Sequence, residues 1–277
     1  MSAHTGASAD GHTGPDGRRG GPWGRGGRAR AITVAVVAVI LVVLIGFVVW
    51  TQIVMQGTRS AALAVWEDPA VTVTDVGDAV LLQPTDRAPG FRTGAAAHDG
   101  LVFIPGAKVD PYAYLGVLSG VVAQEGLAVV ITKPTLNLAF FDQRPLSTFT
   151  AAAPDVEDWY VGGHSLGGVR ACQLAGDADQ SPAVRGLVLF GSYCANDLSG
   201  SDLSVLSIAG TDDGLSTPDK VAGARHLLPA DATMVSIAGA NHASFGDYGL
   251  QPGDGTATID HTEARTEITR ALADFFG

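Results

Sequence analysis

The chain is poor in charge, and poorer still in positive charge beyond its first thirty residues. Of its 277 residues only 16% are Asp, Glu, Lys or Arg, against 46% hydrophobic. So apolar a composition excludes a self-repelling disordered polymer and calls for a packed core. Five of the 17 basic residues (Arg18, Arg19, Arg25, Arg28 and Arg30) lie within residues 1–30, beside only Asp10 and Asp16. The remainder is left with 12 basic against 26 acidic residues. So acidic a body argues against nucleic acid, or an anionic lipid surface, as a partner for a charged face. Cysteine is scarce as well, with Cys172 and Cys194 the whole complement. They form no CxxC pair and no Cys/His cluster has zinc spacing, so no metal is expected. There are no internal repeats, and no insert is long enough to build a large lid domain.

What the chain does have is one long apolar run. Residues 31–50 read AITVAVVAVILVVLIGFVVW, without a charge and with Thr33 as the single hydroxyl. As a helix, twenty residues rise about 30 Å, the thickness of a bilayer core. The run is longer than the h-region of a cleaved signal peptide and apolar on every face, unlike a core helix packed on one side. It is expected to be an uncleaved signal anchor over 31–54, with Trp50 at the interface. The Gly- and Arg-rich residues 1–30 are expected to be a disordered tail. Five Arg precede the run and Arg59 alone follows closely, so the tail is expected in the cytoplasm and the body outside it.

Residues 55–70 read as a linker or a first packed segment, and 71–277 as one globular body. VTVTD (71–75) and AVLLQ (79–83) suggest a β-hairpin turning near Gly77. Apolar strands are expected at 101–105, 127–132, 159–163, 186–192, 203–210 and 232–239. Helical spacing runs over 111–124, 167–176, 217–228 and 261–275, and Pro145 stands at the start of another helix. Strands continuous in hydrophobicity and alternating with helices point to a mainly parallel sheet covered on both faces.

Between one such strand and helix lies Gly163-His164-Ser165-Leu166-Gly167, the G-x-S-x-G pattern in the strand–turn–helix context it requires. Two glycines flanking a serine at that spacing let strand and helix approach while the turn lifts the hydroxyl clear of the sheet. On such a sheet the acid and the base follow the serine in the chain. The turn after 203–210 supplies Asp213, with its neighbour Asp212 as the alternative and Asp197, after the preceding strand, as a third. The loop after the last strand supplies His242. The other histidines read as surface or packing residues, His164 included. The oxyanion hole needs two backbone N–H groups. These are expected from Leu166, directly after the serine, and from Ala107 in the loop after 101–105. Lys108 beside it either brings a positive charge to the substrate mouth or is simply solvated. Asn137 and Phe140 read as ordinary loop packing.

With FIPGAKVDPYAY, KPTLNLAF, GGHSLGG, GTDDGLSTP and GANHASFGDYGLQPGDG in place, residues 70–276 resemble the α/β-hydrolase superfamily, close to its dienelactone-hydrolase-like branch. The resemblance implies an α/β-hydrolase fold with a mainly parallel sheet of about eight strands. It also implies ester hydrolysis through an acyl-enzyme on Ser165, Asp213 and His242, without a cofactor. Two departures stand out. Pro105-Gly106 occupies the place where many relatives carry His-Gly, and Ser165 replaces the Cys of dienelactone hydrolases proper, so their substrate is not carried over. Cys172, two turns into the helix behind Ser165, and Cys194, after the next strand, fall on neighbouring elements of such a fold, where a disulfide is plausible outside the cytoplasm. The expected partners are a small ester substrate and the lipid bilayer. A lactonase or acyltransferase on the same triad is the related alternative, and a silent surface binding module the distinct one.

Overall fold

A computed structural model describes Gly11 and residues 25–91, 99–179 and 182–277. It divides into two compact units, Met1–Phe47 and Val48–Gly277. The first holds most of helix α1 (Arg25–Gln52), whose side chains from 27 to 46 are all exposed. At 28 residues α1 is about 42 Å long. It begins before the expected start at residue 31 and takes in Arg25, Arg28 and Arg30. The rest of the expected tail, Gly11 apart, lies outside the described residues. Of the described helices, α1 alone is long and apolar enough to cross a membrane.

The second unit is built on an eight-stranded sheet. Strands β1 (Val71–Asp75) and β2 (Ala79–Pro84) form the expected hairpin, with Val71 opposite Pro84 and Asp75 opposite Val80. Gly77 turns it with φ +85°, and its N–H donates to the Asp75 carboxylate at 2.9 Å. Strands β3 (Asp99–Ile104), β4 (Ala128–Thr132), β5 (Asp158–His164), β6 (Val184–Phe190), β7 (Ser204–Gly210) and β8 (Thr233–Ile237) follow. Their spatial order is β1-β2-β4-β3-β5-β6-β7-β8, antiparallel as far as β4 and parallel beyond it.

Alternate residues of each central strand feed opposite cores. Leu101 and Phe103 join Leu115, Leu118, Phe190 and Ile268 on one face; Val102 and Ile104 join Phe149, Leu174 and Leu189 on the other. The two-residue period of a strand demands an apolar residue at every position once both faces are covered. Helix α3 (Leu115–Glu125) and α7 (His261–Phe276) cover the first face; α4 (Ser147–Thr150) and α5 (Leu166–Ala175) cover the second.

Local chemistry trims several expected helices. The 111–124 segment opens with a 3₁₀ turn, Pro111–Tyr114, capped by Asp110, before α3 ends at Gly126 with φ +75°. The helix expected over 217–228 stops as α6 (Pro218–Gly223), and a separate 3₁₀ turn covers Arg225–Leu227. Gly223, at that break, is a poor helix former. Residues 55–70 touch the body at a few points. Met55 bridges Val109, Gly57 bridges Tyr248, and α2 (Arg59–Trp66) buries Val65 in the core.

The chain moves outward from β3 to β4, then crosses back to place β5 on the other side of β3. The crevice at the carboxyl ends of β3 and β5 is therefore the topological switch point, where sheets of this kind bind ligands.

Candidate active site

Ser165 is the single residue between β5 and α5. Its backbone is held at φ 52°, ψ −123°, a region residues with a side chain rarely occupy. The sequence permits this turn because both neighbours two positions away lack a β-carbon. One built on Gly163 would lie 2.5 Å from the Gly167 carbonyl carbon, and one on Gly167 would overlap the Ile104 carbonyl oxygen. Hydrogen bonds hold the strain. The Ser165 N–H donates to the Phe190 carbonyl at 3.1 Å, and its own carbonyl accepts from Gly168 N at 3.0 Å and from the Ser192 hydroxyl at 2.7 Å. The serine thus stands at the amino end of α5, where developing negative charge is favoured.

The acid and the imidazole meet as the chain order requires. His242 Nδ1 donates to Asp213 Oδ2 at 2.8 Å, with neither side chain exposed. Because a carboxylate only accepts, this contact assigns the proton to Nδ1 and leaves Nε2 as an acceptor. Nε2 is buried and makes no hydrogen bond among the described residues, so no hydrogen bond joins it to Ser165. The ring of His164, the residue before the serine, lies 4.4 Å from the His242 ring. The second oxygen of Asp213 accepts from the N–H groups of Leu215 at 2.8 Å and Ser216 at 2.7 Å. Asp212 faces away and accepts from the Thr258 hydroxyl at 3.1 Å, while Asp197 is exposed and accepts from Ser199 N. Neither alternative acid reaches His242.

Asp254, to which the sequence reading assigned no role, clasps both loops. Its Oδ1 accepts from His242 N at 3.0 Å and Gly214 N at 3.2 Å, and its Oδ2 from Ala243 N at 3.0 Å. Its only sequence signal is the Asp-Gly pair with Gly255, which reads first as a turn.

The β3 loop is tied to the elbow by a buried relay. Tyr114 accepts from Gly106 N at 2.9 Å, and its hydroxyl contacts His164 Nδ1 at 2.9 Å. Burial, followed by the nearby His242, holds His164 well below the usual imidazole range, so it is neutral. Burial likewise pushes the Tyr114 phenol up, keeping it protonated and able to donate to His164. Lys108 N donates to the Asn137 carbonyl at 2.8 Å. With Gly106 and Lys108 committed, Ala107 is the residue between them whose N–H has no acceptor among the described residues, as is also true of Leu166. These are the two donors expected for an oxyanion.

The segment after the apolar run packs on this same loop. Met55 N donates to the Lys108 carbonyl at 2.7 Å, and Asp110 N to the Met55 carbonyl at 2.9 Å. Asn137, expected only to pack in its loop, donates from Nδ2 to the Thr51 carbonyl at 3.0 Å. The Lys108 ammonium, expected either at the substrate mouth or in solvent, sits 3.9 Å over the Trp50 ring. Lys108, Leu136 and Asn137 have φ near +55°, so with Ser165 they are the four described non-glycine residues with positive φ. All four lie in the elbow or in the two loops beside it.

Cys172 on α5 and Cys194 after β6 form a disulfide with Cα atoms 5.5 Å apart. Among the described residues no three His, Cys, Asp or Glu side chains group as a metal site would need.

A model of the α/β hydrolase family matches residues 100–266, more than half of the chain. No curated protein sequence matches it. Among solved structures, the chain is similar in fold to a carboxyl esterase 2 from the mycorrhizal fungus Tuber melanosporum. That match has 13% identity and a TM-score of 0.53, covering 80% of this chain and 90% of the other. A protein from Thermoplasma acidophilum described as a predicted CIB-like hydrolase matches with 12% identity and a TM-score of 0.50, covering 74% and 96%. The eight-stranded sheet, the strained serine turn between β5 and α5, and the family match lead to one assignment: the chain belongs to the α/β hydrolase family.

Proposed function

We propose that the chain is a membrane-anchored serine hydrolase that cleaves carboxylic esters through an acyl-enzyme. The observation that carries this reading is the pairing of a serine at φ 52° with a buried His242–Asp213 contact of 2.8 Å in the order Ser, Asp, His. In this reading His242 Nε2 takes the Ser165 proton as the oxygen attacks the ester carbonyl. Asp213 holds the ring and stabilises its charged form. The N–H groups of Leu166 and Ala107 receive the oxyanion. The protonated imidazole then hands its proton to the leaving alcohol, and water repeats the sequence to release the acid. The Ser165 to Nε2 hydrogen bond is expected to form with substrate, as catalytic contacts tighten in the reacting complex.

The solved carboxyl esterase of like fold supports the substrate class by analogy alone. The unburied apolar run 31–50, with five arginines before it, supports an anchor whose amino end is cytoplasmic and whose catalytic body is outside. A fluorophosphonate probe is expected to label the wild type and not Ser165→Ala, and the variant to lose about 10⁶-fold in p-nitrophenyl ester turnover. An unlabelled and inactive wild type overturns the catalytic reading. Protease added to intact cells is expected to digest the body, and full protection reverses the topology.

A further inference from the structure

We infer that His164 is a positioning residue for the base: a buried chain of donors, running from Gly106 through Tyr114 to His164, fixes where the His242 ring stands against the proposed oxyanion loop. This rests on the serine hydrolase reading above and deepens it.

The carrying observation is how the His164 ring is held. Gly106 N donates to the Tyr114 hydroxyl at 2.9 Å, and that hydroxyl lies 2.9 Å from His164 Nδ1. The phenol proton has no other acceptor among the described residues, so it goes to Nδ1. A neutral imidazole that accepts at Nδ1 carries its own proton on Nε2. Nε2 is buried and makes no hydrogen bond among the described residues, and the His242 main-chain carbonyl attracts its proton from beyond hydrogen-bond reach. The face of the same ring lies against His242, with centroids 4.4 Å apart and planes tilted by 45°. Phe245 at 5.9 Å and Tyr248 at 6.2 Å complete the enclosure, and no part of His164 is exposed. Gly106 belongs to the arrangement as well, since a β-carbon there would lie 2.8 Å from His164 Nδ1.

The two imidazoles hold opposite tautomers. His242 donates from Nδ1 to Asp213 and leaves Nε2 free, while His164 accepts at Nδ1 and keeps its proton on Nε2. The bond to Asp213 holds one edge of the His242 ring but leaves it free to turn about that bond. The stacked His164 ring blocks the turn, so Nε2 keeps its direction. In the proposed reaction His242 becomes charged, and a neighbour that also took a proton would oppose that charge. Burial keeps His164 uncharged, and keeps the facing phenols of Tyr114 and Tyr248 protonated. Because Gly106 precedes Ala107, the chain that fixes the base also fixes the proposed oxyanion donor.

The test compares kcat and KM for p-nitrophenyl butyrate in the full chain in detergent micelles. The variants are Tyr114→Phe, His164→Leu, His164→Asn and the double Tyr114→Phe with His164→Leu. His164→Leu is expected to lower kcat about 10²-fold, as misplaced catalytic groups do, with KM little changed. His164→Asn restores an acceptor for Tyr114 and is expected to recover part of the loss. The double variant is expected to lose no more than His164→Leu alone, because both changes break one chain. A normal kcat, a loss confined to KM, or single losses that multiply in the double overturn the inference and leave the esterase reading standing. A measurement on the wild type covers variants that fail to fold. In the ¹⁵N spectrum of histidine-labelled protein, one imidazole is expected to keep a protonated Nε2 and an unprotonated Nδ1 from about pH 8 to about pH 5, and its Nδ1 signal to move in Tyr114→Phe. The absence of such a ring overturns the inference. A wild type with neither turnover nor fluorophosphonate labelling overturns the esterase reading itself.

Discussion

The two halves of the site are held in opposite ways. The half that holds the proposed acid and base, in the loops after β7 and β8, is relaxed and locally satisfied. Asp213 accepts three hydrogen bonds, Asp254 accepts from both loops, and Asn241 and Ser244 cap each other around His242. The half proposed to hold the nucleophile and the oxyanion, in the loops after β3, β4 and β5, contains all four described non-glycine residues with positive φ. It keeps that strain through contacts reaching far along the chain. Tyr114 joins Gly106 to His164, Asn137 reaches back to Thr51, and a disulfide ties α5 to the loop after β6. The difference follows from what each half must do. A carboxylate and an imidazole need orientation, which side-chain-to-backbone hydrogen bonds supply nearby. An alcohol to be exposed at a tight turn needs unfavourable backbone torsions, which persist only when the surroundings over-determine them.

Four changes would sharpen or break this contrast. The largest effect is expected from Asp213→Asn, which keeps the shape but presents the wrong hydrogen-bonding partner to Nδ1, so turnover should fall about 10⁴-fold. Asp212→Asn should stay close to wild type in the same p-nitrophenyl ester assay, and a comparable loss there would move the acid.

Next comes the long-range bracing. Replacing Cys172 and Cys194 by Ala opens a loop with a sequence separation of 22 residues. Chain entropy alone puts the cost at about 3 kcal/mol, to be read from urea midpoints under non-reducing conditions. An unchanged midpoint would mean that the strained half does not depend on this brace.

Asp254→Ala should cost about 1–3 kcal/mol through its orphaned N–H partners. It should also lower kcat by loosening the His242 loop, while fluorophosphonate labelling of Ser165 slows in step. A variant with normal kcat would show that the relaxed half needs no clasp.

The smallest effect is on pH dependence. His164 is buried and neutral, with its folded pKa depressed below the ordinary 6.5, so the unfolded chain binds the extra proton. Its contribution to stability is present above pH 6.5 and is lost as pH falls below it, at up to about 1.4 kcal/mol per pH unit. His164→Gln should flatten that slope in denaturation measured from pH 7 down to 5, and an unaltered slope would assign it to other groups.

The sheet was legible because its central strands carry nearly continuous apolar runs, a pattern that burial on both faces requires and that turn residues punctuate. The hairpin, the serine turn and the loops that bring Asp213 to His242 were legible for the same local reasons. Asp254 and Tyr114 were not. Asp254 lies in an Asp-Gly turn, and its role depends on two loops arriving beside it. Tyr114 occupies an apolar position of a helical pattern, and its hydroxyl matters only because Gly106 and His164 are both within 2.9 Å. The helix expected over 217–228 ends at Gly223, a poor helix former inside an otherwise helical spacing.

By itself the sequence determined what depends on neighbours within a few residues. This includes the apolar run that outlasts a core helix, the glycines that let Ser165 turn, the alternation that builds the sheet and the place of His242 after its last strand. Only the tertiary structure set Asp213 rather than Asp212 against His242, engaged Lys108 with Trp50 and Asn137 with Thr51, and gave Asp254 its partners. The physical reason is range: backbone torsion and hydrophobic period are written in adjacent side chains. A hydrogen bond between residues 86 positions apart, such as Asn137 to Thr51, exists only after the strands between them have found their order.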